Sequence, residues 1–131
     1  MKKKVPSQPG PKMVVIDSLA DSDIDVRDNK TFKVIEKCII DFSKPREFDC
    51  LFMSVTNSSA KELSQTLRDN LGYTIEEPYH DEDGWITHAV KRILYSDLKD
   101  TLKTGREEAA KLSSKLIDWN IDVDKSPDQS E

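Results

Sequence analysis

Apolar residues recur along this chain first at helical spacing, then in alternation, then at helical spacing again, and the order of those switches predicts its elements. Phe32, Ile35, Ile39 and Phe42 fall on one stripe with Val34 and Cys38 beside it, which predicts an amphipathic helix over about 29–42 capped by Asp28 or Asn29. Pro45 disfavours helical geometry at Lys44, so that helix should end near Asp41 to Ser43. From Phe48 to Val55 the pattern alternates, with Leu51, Met53 and Val55 on one face and Phe48, Cys50 and Phe52 on the other. A strand apolar on both faces belongs in the middle of a sheet, with helices on one side and something else on the other.

Ser59-Ala-Lys-Glu62 has the form of a capping box, after which Ala60, Leu63, Leu67 and Leu71 supply a buried stripe and Gly72 a left-handed end. Tyr73 to Glu77 then predicts a strand, Pro78 to Gly84 an acidic turn, and Trp85 to Leu94 the returning strand. Ser96 or Asp97 opens a second long helix whose stripe runs through Leu98, Leu102, Gly105, Ala109, Leu112 and Leu116, about five turns. Gly105 there suggests close contact with a strand. Ile117, Trp119, Ile121 and Val123 alternate with Asp118, Asn120, Asp122 and Asp124, the pattern of an edge strand with one polar face. Two strand–helix–strand units in one antiparallel sheet make an α+β, ferredoxin-like βαββαβ fold with two helices on one face. The extra N-terminal helix would cover the other face or an end. Lys12 to Ile16 is too short a run to separate a strand from a collapsed arm.

At 131 residues the chain accommodates one domain, expected over 13–124, between a Lys- and Pro-rich flexible arm at 1–12 and a frayed tail at 125–131. The basic start lacks the apolar region of a signal peptide and no stretch is long enough to span a bilayer, so the expected location is the cytoplasm. Cys38 and Cys50 lack metal or redox spacing and read as buried small hydrophobes. A net charge of −5 works against phosphate-backbone binding and favours a basic partner.

Catalytic chemistry has little foothold. The glycines are scattered, with neither GxxxxGK nor GxGxxG, and no nucleophile elbow is present. His80 with Asp81, Glu82 and Asp83 resembles a cation site only loosely, since the run lacks EF-hand spacing and reads more simply as a solvated turn. His88 shares a strand face with Ile86 and Val90 and reads as a hydrogen-bonded, partly buried histidine. The expectation is no enzyme, no cofactor and no metal.

Thr31-Phe-Lys-Val-Ile-Glu-Lys-Cys-Ile-Ile-Asp-Phe-Ser-Lys-Pro45, the strand from Phe48 to Val55, Leu71-Gly-Tyr73, Asp81-Glu-Asp-Gly-Trp85 and Ile117-Asp-Trp119 follow one another over roughly Asp28 to Val123. In that order they resemble the landmarks of the RraB-type regulators of ribonuclease E activity. The chain departs from the family in having Ile117-Asp118-Trp119 where Asp-Gly-Trp is usual, and in lacking a strongly acidic C-terminal tail. The resemblance implies a protein-binding regulator that docks on the non-catalytic, arginine-rich part of ribonuclease E and lowers its activity. The surface expected to bind comprises Glu76, Glu77, Asp81, Glu82, Asp83 and Trp85 around the turn, and Asp118, Trp119, Asn120 and Asp122 on the last strand. The alternatives are an RNA-binding module stacking bases on Phe48 and Phe52, a ferredoxin-like dimer holding a small molecule, and an enzyme built on His80. Trp85-Ile-Thr-His-Ala-Val-Lys-Arg92 lacks the aromatic pattern that the RNA-binding reading needs.

Overall fold

The computed structural model describes residues 11–16 and 24–125. In chain order the elements are β1 (Lys12–Ile16), α1 (Ile24–Cys38), β2 (Arg46–Ser54), α2 (Asn57–Leu71), β3 (Thr74–Ile75), β4 (Tyr79–Asp81), β5 (Gly84–Ile93), α3 (Leu98–Lys111) and β6 (Ser114–Asp122), with a 3-10 turn at Tyr95–Asp97 before α3. This is an α+β fold: six strands pair antiparallel in the order β1-β6-β2-β5-β3, with β4 also on β5. Of the expected arm at 1–12 and tail at 125–131, residues 1–10 and 126–131 lie outside the described residues. Lys12 and Lys125, assigned to them, are part of the fold: Lys12 opens β1, and the Lys125 amide donates to the Cys38 carbonyl at 3.1 Å.

Alternation along β2 decides the layering. Arg46, Phe48, Cys50, Phe52 and Ser54 are buried on one face, while Glu47, Asp49, Leu51 and Met53 are half-buried on the other. Phe48, Cys50 and Phe52 share one core with Ile35, Cys38, Leu63, Leu67, Leu98, Leu102, Trp119 and Ile121, so all three helices cover the same face. The N-terminal helix therefore does not cover the opposite face, as the sequence left open. It lies beside α3, where Arg106 Nη1 donates to the buried Asp28 carboxylate at 2.8 Å, and Tyr95 Oη donates to Glu36 at 2.8 Å. Asp28 is thus a mid-helix anchor and not a cap.

Element ends differ from the sequence expectation for local reasons. The first helix stops at Cys38, because Asp124 and Lys125 donate their amides to the Cys38 carbonyl while the Asp124 carboxylate takes the Ile40 and Asp41 amides at 2.6 and 3.1 Å. Phe42 is consequently exposed and meets the Tyr95 ring edge-on. Ahead of α2 the cap is Thr56, whose hydroxyl accepts from the Ser59 amide at 3.0 Å; Ser59 lies three residues inside, so the predicted capping box does not form. Gly72 closes α2 at φ 78°, as expected. The acidic turn is shorter than predicted, since Tyr79–Asp81 pairs with β5 and leaves Glu82-Asp83 as the hairpin loop. There Gly84 lies against β2 so closely that a Cβ would stand 2.6 Å from the Ser54 carbonyl oxygen. The last long helix ends at Lys111, and Leu116 belongs to β6, which is an inner strand between β1 and β2 and not an edge. A register shift opposite Leu51/Phe52 turns Leu116 as well as Trp119 towards the helices.

Candidate functional site: the uncovered sheet face

With every helix on one side, the other face of the sheet carries no element among the described residues. Strand register arranges its side chains in rows. Ile16, Asp118, Leu51 and His88 form one row, and Val14, Asn120, Asp49 and Val90 the next. Between them lies a concavity of about 240 Å³ lined by Val14, Asp49, Leu51, Tyr79, His88 and Asp118, among others. Val14 and Ile16 are 63% and 53% exposed and Tyr79 is 54% exposed, so the face combines apolar edges with a polar middle.

The polar middle is a chain of charges running across the strands. His88 Nε2 lies 2.9 Å from Asp49 Oδ1, and its Nδ1 lies 3.2 Å from Glu76 Oε1. On the far side Lys12 Nζ approaches Asp49 Oδ2 at 3.4 Å and Glu47 Oε1 at 3.5 Å, reaching over β6 to do so. Burial by itself lowers the His88 pKa, but the hydrogen bonds to Asp49 and Glu76 outweigh it and the net shift is upward. Lys12 is raised in the same way, its desolvation being outweighed by Asp49, Asp122 and Glu47. Glu47, Asp49, Glu76, Asp118 and Asp122 outnumber Lys12, Arg92 and Lys115 on this face, which is therefore acidic.

The residues expected to bind a partner divide into three groups. Glu76, Asp118, Asn120 and Asp122 come together on the uncovered face. Asp81, Glu82 and Asp83 are exposed at the β4–β5 hairpin, away from the concavity, and Glu77 is exposed in the link between β3 and β4. Trp119 is corrected outright: at 1% exposure, with its ring 5.9 Å from that of Phe48, it is a core side chain. Trp85 alternates with Thr87 and Ala89 onto the helix side and lies half-buried, 5.1 Å from the His80 ring. Phe48 and Phe52 are each 1% exposed beneath the helices, which removes the stacking platform that an RNA-binding reading requires.

Asp49, Glu47, Lys12 and Leu51 were missed as site residues. Glu47 and Asp49 stand in phase with Leu51 and Met53, so the signal was present in the strand period; only the pairing of β2 with β5 and β6 joins them to His88 and Asp118. Cys38 and Cys50 are buried free thiols, as expected. Among the described residues no group of His, Cys, Asp and Glu has metal-binding geometry, and no helix is long and apolar enough to cross a membrane. No model of a known protein family matches the chain, and no curated protein matches it either.

Proposed function

We propose that the protein is a protein-binding regulator of the RraB type, acting in the cytoplasm, whose uncovered sheet face docks on a basic, arginine-rich segment of ribonuclease E or a related RNA-processing enzyme. In this reading β2 to β6 form a ferredoxin-like βαββαβ unit, extended by β1 at one edge and by α1 on the helix side. One observation carries the proposal: carboxylates from β2, β6 and the residue after β3 converge on a face that also offers Val14, Leu51 and Tyr79. Carboxylates in a partly apolar recess suit guanidinium groups, which are planar, weakly hydrated and able to pair bidentately. The order of sequence landmarks from Thr31 to Trp119 adds the expected identity of the partner.

A cleavage assay tests this reading. Added protein lowers the activity of full-length ribonuclease E and leaves unchanged an enzyme stripped of its non-catalytic, arginine-rich part. Equal activity with and without the protein, together with no measurable binding to that part at low salt, refutes it.

A further inference from the structure

His88 occupies the centre of the uncovered face with a carboxylate against each ring nitrogen. An imidazolium donates from both nitrogens and satisfies both carboxylates, whereas a neutral ring has one N–H and must turn a lone pair towards the other. Asp49 is the better-held partner: it is 14% exposed at the side chain, 2.9 Å from the ring, and also meets Lys12. Glu76 is 71% exposed and 3.2 Å away, so it is the carboxylate released when the proton leaves.

From this geometry we infer that His88 is a proton-operated internal cation of the docking face: its imidazolium occupies Asp49 and Glu76, and loss of the proton frees Glu76 for a cationic side chain of the partner. The inference rests on the docking reading above and adds its regulation. Bound guanidinium and the imidazolium compete for the same carboxylates, so binding and protonation oppose each other, and by linkage each weakens the other equally. Asp49 and Glu76 hold the His88 proton against the opposing effect of burial, and the net shift of its pKa is upward.

The charged and titratable groups that share this face with His88 are Lys12 from β1, Glu47 and Asp49 from β2, Glu76 beside β3, Tyr79 from β4, Arg92 from β5, and Asp118 and Asp122 from β6. Histidine is the side-chain type whose ordinary pKa falls between about pH 5 and 8, and His88 is the histidine among them.

The test uses the full chain and a fluorescent ten-arginine peptide, a probe that does not itself titrate. Anisotropy at low salt should report binding that tightens about tenfold from pH 5 to pH 8, the scale of a typical coupling between two sites. The midpoint should match the His88 titration followed by NMR, and peptide should lower that midpoint. His88→Gln should bind with a flat profile near the wild-type high-pH affinity, His88→Arg with a flat profile near or below the low-pH affinity, and His80→Gln like wild type. A flat wild-type profile, or an unchanged profile in His88→Gln, overturns the proton-operated role while leaving the docking face standing. No peptide binding at any pH overturns the docking reading, and this inference with it.

Discussion

Asp124 ties three segments together with one carboxylate. It receives Arg46 Nη2 at 2.8 Å and Nη1 at 3.2 Å, the Ile40 and Asp41 amides, and Lys44 Nζ at 3.4 Å, so the link after α1, the start of β2 and the end of β6 share one clasp. Arg46 is 1% exposed and has no route to water if its partner is lost. Asp124→Ala should therefore cost about 3–5 kcal/mol in denaturant unfolding, the usual penalty for stranding a buried charge. The Arg46 hydrogen bond, with the two amides, holds the Asp124 carboxyl well below the usual carboxylate range. A depressed carboxyl contributes its stability above its unfolded pKa, about 3.9, and loses it as pH falls through the folded value. The stability gap between wild type and Asp124→Asn should thus be constant near neutrality and shrink below about pH 4. His88 has the opposite sign. Its raised pKa stabilises the fold below about pH 6.5, and that contribution disappears as pH rises through the folded value, so His88→Gln should lie closest to wild type in stability at alkaline pH.

For the helices, the informative tests concern where each begins and what its stripe touches. Thr56→Ala should cost about 1 kcal/mol of stability, the typical worth of an N-cap side chain, while Ser59→Ala should stay within about 0.5 kcal/mol. The reverse order would restore the capping box. Gly105 faces Phe52 on the inner side of α3, and a Cβ there would stand 3.5 Å from Phe52 Cζ, an ordinary van der Waals separation. Gly105→Ala should therefore raise stability by about 0.5–1 kcal/mol through helix propensity, read as a higher denaturant midpoint. Helix stripes and strand phases were legible because side-chain period follows from local geometry. Ala60, Leu63, Leu67, Leu98, Leu102 and Ala109 are buried as their spacing predicts. The ends were not legible, because distant residues decide them: Asp124 ends α1 from across the chain, and pairing with β5 draws Tyr79–Asp81 out of the presumed turn.

Across the whole molecule, the same limit explains which part of the candidate site the sequence revealed. Asp118, Asn120 and Asp122 were found because alternation within one strand isolates them as a polar face. Asp49 and His88 were not joined to them, since only the pairing of β5, β2 and β6 makes them neighbours, and the hairpin carboxylates drew attention merely by being consecutive. With docking centred on the sheet face, Asp118→Asn with Asp122→Asn should slow association with an arginine-rich segment and flatten its salt dependence, since exposed charges chiefly steer encounter and are screened within about 10 Å at 0.1 M salt. Asp81→Asn, Glu82→Gln and Asp83→Asn together should change the association rate less, because they lie at the hairpin and outside the concavity. The most direct test of the sheet face is an NMR map of chemical-shift changes on adding the ten-arginine peptide at low salt. The largest changes should fall at Val14, Asp49, Leu51, His88, Asp118 and Asn120, with the helix surfaces unmoved. Changes confined to the Glu82-Asp83 turn or to the helix surfaces, with those six residues silent, would contradict docking at the sheet face.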